Sequence, residues 1–174
     1  MKKLPVVGVM GSSVRAHEAL AVPLGRRLAR LEVHLLTGGG RGVMASVSRA
    51  FAEVEERAGL VIGVMPRIEE GPAAGTESGR ANPWVELAVR THLGKAGATH
   101  DSRNHVNVLT SDVVVALPGS AGTASEVELS IRYGRPVILF GDLARARHCP
   151  PEVATAATVN DVIAFVRKHL PALP

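Results

Sequence analysis

Aromatic residues are nearly missing from this chain, with one Trp, one Tyr and three Phe among 174 residues. Its core must therefore be assembled from Val, Leu, Ile and Ala, which favours an α/β sandwich over a small β-barrel. Cysteine is almost missing too. The single Cys149 excludes an internal disulfide framework, and its place before Pro150 and Pro151 marks it as an incidental loop thiol. No run of about 18 apolar residues occurs, so no membrane span is expected. The start, Met1-Lys2-Lys3-Leu4, resembles the charged end of a signal peptide. The apolar stretch behind it is broken by Gly8, Gly11 and Ser12 and lacks a cleavage pattern, so the sequence predicts a cytoplasmic protein. Blocks of like charge are absent as well. The net charge of +4 is spread mainly over arginines at helical positions (Arg26, Arg27, Arg30, Arg49, Arg57), with no basic stripe and no stacking aromatics. That distribution argues against a nucleic-acid partner.

What the chain does have is a hydrophobic content of 46%, enough for a core, and a length that suits one domain over residues 1–174. Strands are predicted at 5–10, 33–37, 60–65, 84–91, 112–117, 136–140 and 154–159. Helices are predicted at 17–30, 42–57, 101–111, 124–133 and 160–170. Gly59 reads as a left-handed residue ending the second helix, and Asn160-Asp161 as the cap of the last. The segment 67–83, rich in Gly and Pro, reads as a mobile or ligand-covering loop rather than a linker. Strands and helices alternate throughout. The expected fold is therefore α/β: a doubly wound, mostly parallel sheet with helices on both faces.

Three glycine-bearing turns follow strands: Gly11-Ser12-Ser13, Gly38 to Gly42, and Pro118 to Thr123. In a parallel sheet the carboxyl ends of all strands share one edge, so these turns converge there. The third carries the most information. A buried-strand run, Val113 to Leu117, feeds Pro118-Gly119-Ser120-Ala121-Gly122-Thr123 and then a helix. Such a turn leaves backbone N–H groups pointing outward at the positive end of a helix, which suits a phosphate. Gly119, Ser120, Gly122 and Thr123 are the phosphate-binding candidates, with Gly39, Arg41, Gly42 and Ser12 on the neighbouring turns. Neither the dinucleotide fingerprint nor the Gly-Lys-Ser/Thr phosphate loop is matched, which argues against ordinary NAD binding and ATP hydrolysis. A Gly-x-Ser-x-Gly elbow is absent. The seven histidines show no metal-ligand spacing, and no metal site is expected.

Glu126 lies one turn into the helix after that loop, and Arg103 lies in the preceding helix. A carboxylate beside an anchored ribose phosphate can stabilise the charge that develops as an N-glycosidic bond breaks, or activate water. Arginine can orient a phosphate or carboxylate. An ion pair tying two helices together fits the same two residues.

The segments Gly38-Gly39-Gly40-Arg41-Gly42-Val43-Met44, Arg103, and Pro118-Gly119-Ser120-Ala121-Gly122-Thr123-Ala124-Ser125-Glu126 resemble the Lonely Guy superfamily, also labelled lysine-decarboxylase-like. The resemblance covers about residues 5–141. It implies a Rossmann-like fold, a homodimer, and a nucleotide-like ligand whose phosphate rests on the loop of Gly119, Gly122 and Thr123. In the hydrolase branch the positions of Arg103 and Glu126 are the catalytic pair. Those phosphoribohydrolases cleave nucleoside 5′-monophosphates such as AMP or cytokinin riboside monophosphates. Pyridoxal phosphate is not expected, since neither Lys95 nor Lys168 follows a motif. Ser120 stands at the second glycine of the signature, and Asn104 follows Arg103 where hydrolases carry lysine. Val43-Met44, Ser102-Arg103-Asn104 and Tyr133-Gly134-Arg135-Pro136 are more similar to the small branch of molybdenum-cofactor carrier proteins. That branch implies a molybdopterin-type cofactor as the carried ligand.

Overall fold

In the computed structural model, residues 3–67, 80–94, 97–141 and 153–170 are described. The strands are β1 (Val6–Met10), β2 (His34–Thr37), β3 (Val61–Met65), β4 (Leu87–Arg90), β5 (Val113–Ala116), β6 (Val137–Phe140) and β7 (Ala154–Ala156). The helices are α1 (Glu18–Ala29), α2 (Val43–Ala52), α3 (Asn104–Thr110), α4 (Ala121–Arg132) and α5 (Val159–His169). All seven strands form one sheet in the order β4-β3-β2-β1-β5-β6-β7. Every pairing is parallel, with Val7 opposite Leu35 on one side and Val113 on the other. The chain winds outward from β1 to β4, returns to the middle at β5 and winds outward again. This is the doubly wound, Rossmann-like, single-domain α/β arrangement, with a switch point between β1 and β5.

The strand residues divide by the two-residue alternation of a pleated strand. Val7, Val9, Leu35, Val61, Val113, Val115, Leu117, Ile138 and Phe140 face α1, α2 and α5, where they meet Leu24, Leu28, Val47, Phe51 and Val162. Met10, Leu36, Ile62, Val64, Val114, Ala116 and Val137 face the other way, against Val127 of α4 and Val106 of α3. Both sides of the central strands are buried, which explains why their sequences read as unbroken apolar runs. Among the described residues, no helix is long and apolar enough to cross a membrane.

Several local expectations are corrected. Helix α4 begins at Ala121, three residues before the predicted start, so Gly122 and Thr123 belong to its first turn. Helix α3 begins at Asn104, which leaves Arg103 as the residue just before it. The cap of α5 is Thr158: its hydroxyl accepts from the Asp161 N–H and the Asp161 carboxylate accepts from the Thr158 N–H, a capping box. Gly59 is not left-handed. Its helix ends seven residues earlier, and a side chain at 59 would run into the backbone of Val33. The residues at 84–86 are not part of β4. Most of the 67–83 loop (68–79), Cys149 and Lys95 lie outside the described residues.

Candidate functional site

Ser12 joins the three turns at the carboxyl edge. Its N–H donates to the Pro118 carbonyl (3.2 Å), and its carbonyl accepts from Val43 N–H (2.9 Å), the first residue of α2. Its hydroxyl accepts from the N–H groups of Val14 (3.1 Å) and Arg15 (2.9 Å), which closes its own turn. One residue thus ties the loops after β1, β2 and β5 into one surface, at the place where the sheet order reverses.

The third turn is shaped by close approach. A Cβ on Gly119 would strike the Thr123 side chain and sit 3.2 Å from the Ser12 nitrogen. The chain therefore runs tight against the first turn of α4. Ser120 is the N-cap residue of that helix, in extended conformation, and its side chain makes no capping hydrogen bond. Nor is there a carboxylate in the first turn. Ser120 and Ala121 are exposed, Gly122 is half-buried and Thr123 is buried. The amides opening a helix lack intrahelical partners and carry partial positive charge, so this end is suited to an anion. From α3, Asn104 braces it: Nδ2 donates to Ser125 Oγ (2.8 Å) and Gly122 O (3.4 Å), while Ser125 Oγ donates to Gly122 O (2.7 Å).

The second turn is held from two sides. Thr37 Oγ1 accepts from Gly39 N–H (3.0 Å). Asn82 donates its N–H to Gly39 O (2.8 Å), and its Nδ2 donates to Gly39 O (3.2 Å) and Gly40 O (3.0 Å). Gly39 is buried and Arg41 exposed. Gly42 has φ 63°, and a Cβ there would meet Ser12 O. Among the described residues no three His, Cys, Asp or Glu side chains are grouped to hold a metal ion.

Arg103 and Glu126 are both 7% exposed and sit beneath these turns. Arg103 Nη1 donates to Gly38 O (2.9 Å) and Val64 O (2.5 Å), and the guanidinium fills the space that a side chain at Gly38 would need. Burial lowers the proton affinity of the guanidinium, and the charge of Glu126 opposes that. Glu126 Oε1 accepts from Asn107 Nδ2 (2.8 Å). Burial pushes the Glu126 carboxyl up to about 7, against the Asn107 hydrogen bond and the Arg103 charge, which both pull it down. Burial is the larger effect, because removing a carboxylate from water outweighs one neutral donor and one cation that is itself desolvated.

The structure therefore brings the sequence-predicted residues Ser12, Gly39, Gly42, Gly119, Gly122 and Thr123 to one edge, with Arg103 and Glu126 below them. Asn82, Asn104, Asn107 and Ser125 do structural work there that the sequence reading missed. A signal existed for two of them: Arg103, Asn104 and Asn107 recur at the i, i+1 and i+4 spacing of one polar helix face. Asn82 carried none, since it contacts a glycine turn 42 residues away.

A model of the SLOG cluster4 family matches residues 4–166. The molybdenum cofactor binding protein of Rippkaea orientalis is 32% identical, with 95% of this chain and 97% of that one covered and a TM-score of 0.74. The molybdenum cofactor carrier protein of Chlamydomonas reinhardtii is 31% identical, with 95% and 98% covered and a TM-score of 0.73. An uncharacterized protein of Archaeoglobus fulgidus is 26% identical over 137 residues, 78% of this chain and 79% of its own. The resemblance drawn from the glycine signatures thus holds for the superfamily and for the carrier branch.

Proposed function

We propose, from the premise that the chain belongs to the SLOG cluster4 family, that it binds a phosphorylated, nucleotide-like small molecule and carries a molybdopterin-type cofactor. The observation that carries this reading is the N-terminus of α4, left without a side-chain cap by Ser120 and fastened beside the switch point by Ser12. The proposed phosphate ligands are the backbone and side-chain groups of Gly119, Ser120, Gly122 and Thr123. Gly39, Arg41, Gly42 and Ser12 border the same cleft. The cofactor is cargo in this reading, and its pterin ring would lie beyond Thr123.

The phosphoribohydrolase reading assigns Arg103 and Glu126 to cleavage of a nucleoside 5′-monophosphate. Their surroundings favour the carrier. Arg103 Nη1 is engaged by two strand-end carbonyls, and Glu126 is buried and hydrogen-bonded to Asn107. The exposed Leu109, Ile131 and Tyr133, at the ends of α3 and α4, support a homodimer as part of the same proposal.

The test is direct. Protein purified from a host that makes molybdenum cofactor is expected to release an oxidisable, fluorescent pterin on denaturation, and to liberate no adenine from AMP. Turnover of AMP that Glu126→Gln abolishes would replace the carrier with the hydrolase.

A further inference from the structure

Asn107 has an unanswered hydrogen-bonding group. It is fully buried, its Nδ2 donates to Glu126 Oε1 (2.8 Å), and its Oδ1 accepts from nothing among the described residues. A buried acceptor with no donor loses its hydration without compensation, which makes it a destabilising group. An ionised carboxylate cannot relieve it, since it only accepts; a neutral acid carries one O–H donor. An amide and a carboxyl group are planar and match in spacing, so a proton on the second carboxyl oxygen closes a ring of two hydrogen bonds between them.

We propose that Asn107 is the positioning residue for Glu126, holding it as a neutral acid in a cyclic amide–acid pair. In this pair Asn107 Nδ2–H donates to Glu126 Oε1, and the Glu126 Oε2–H donates to Asn107 Oδ1. The proton comes from solvent. One protonation removes both the orphaned acceptor and the buried charge.

The surroundings are consistent with this. Just before α3, Arg103 is the cation that favours the charged form of Glu126, and its Nη1 is engaged by the Gly38 and Val64 carbonyls. On α3, His105 contacts the Tyr133 hydroxyl (2.7 Å) and the Thr99 carbonyl (2.9 Å). On α4, Glu128 and Arg132 pair with each other on the exposed side (3.3 Å). The sheet strands under α4, β5 and β6, read Val-Val-Val-Ala and Val-Ile-Leu-Phe and bring no ionisable group. Among the described residues, Asn107 and Arg103 are the neighbours that bear on its titration, besides the burial that raises it to about 7.

If the site takes a phosphorylated ligand, a consequence follows that rests on the reading given under Proposed function. A neutral Glu126 lets an anion settle near it without like-charge repulsion, and the anion in turn holds the proton in place.

The experiment follows the Glu126 side-chain carbon by NMR through a pH titration, with Glu126→Gln assigning the signal. The Nδ2–H···Oε1 bond taken alone lowers the Glu126 midpoint. The closed pair, however, gives the neutral acid a second bond and leaves Asn107 Oδ1 unanswered once the proton is lost. In Asn107→Leu the midpoint is therefore expected to fall, by about one pH unit if the net loss is one bond of ordinary strength. A midpoint that rises would mean that Asn107 serves only the carboxylate, and would overturn the pair. Should Asn107→Leu not fold, the wild type answers by isotope-edited infrared spectroscopy at pH 6. A protonated-carboxyl C=O band lost in Glu126→Gln is expected, and its absence would overturn the pair equally. Calorimetry with AMP as probe, in two buffers of different ionisation heat, reads the linkage to ligand. Proton uptake on binding is expected. No AMP binding beside an intact titration would remove the phosphate-site reading and leave the pair standing.

Discussion

Arg103 Nη1 bridges the carbonyl of Gly38, 65 residues away in sequence, and that of Val64, fastening the ends of β2 and β3 to the start of α3. Gly38 and Val64 lie at or just past the ends of neighbouring parallel strands, buried on the edge where the turns gather. The guanidinium supplies donors there in place of water. Arg103→Met keeps the volume and leaves both carbonyls without this donor, so a loss of roughly 2–4 kcal/mol is expected. Urea denaturation checks it. Arg103→Lys, with a shorter reach and no planar fork, should recover only part of the loss. A wild-type midpoint in Arg103→Met would mean that the bridge contributes nothing.

Gly119 and Gly134 make a matched pair of alanine substitutions. At Gly119 the added methyl would enter the Thr123 side chain, which must move, so the first turn of α4 is displaced. Phosphate-dependent thermal stabilisation should disappear in Gly119→Ala. Gly134 lies at the far end of the same helix with φ 61° and nothing within 4 Å of the added atom. Gly134→Ala should cost about 1 kcal/mol from the left-handed backbone alone, with ligand stabilisation unchanged. Equal effects on ligand binding in the two variants would break the link between the Gly119 turn and the anion.

The sheet was legible because its central strands, Val6–Met10 and Val113–Ala116, are short apolar runs closed by glycine-bearing turns and separated by helix-length segments. The glycine turns were legible because their residues are consecutive. Helix ends were less so: Gly122 looked like a turn residue, yet it is the second residue of α4. Glycine's low propensity is a penalty of helix interiors, and Gly122 sits in the first turn. The polar supports of the site were least legible. Asn82, Asn104 and Asn107 act through contacts across 18 to 43 residues of sequence, and asparagine has no periodicity to betray such a role.

Thr158 is distant from the proposed site along the chain and separates helix stability from ligand binding. Thr158→Ala removes the hydroxyl that accepts from Asp161 N–H, and with it half of the capping box of α5. A loss of about 1 kcal/mol is expected by chemical denaturation. The midpoint should fall while the shift produced by ligand stays as in the wild type.

Glu126 gives the protein a pH dependence of opposite sign to that of an ordinary surface carboxylate. Its folded value is about 7 and its ordinary value 4.5. Below 4.5 the group is protonated whether the chain is folded or not, and it does not affect stability. Between 4.5 and 7 the folded state holds the proton and the unfolded state has released it, so stability falls as pH rises. The slope approaches roughly 1 kcal/mol per pH unit inside this window and vanishes above it. Glu126→Gln carries no proton to lose, and its amide can pair with Asn107 as the neutral acid would. The variant should therefore be the more stable protein at pH 8, with an advantage that shrinks steadily as the pH is lowered through 7 toward 4.5. Urea midpoints for both proteins at four or five pH values measure this difference, and an advantage that grows toward acid pH would contradict the raised carboxyl.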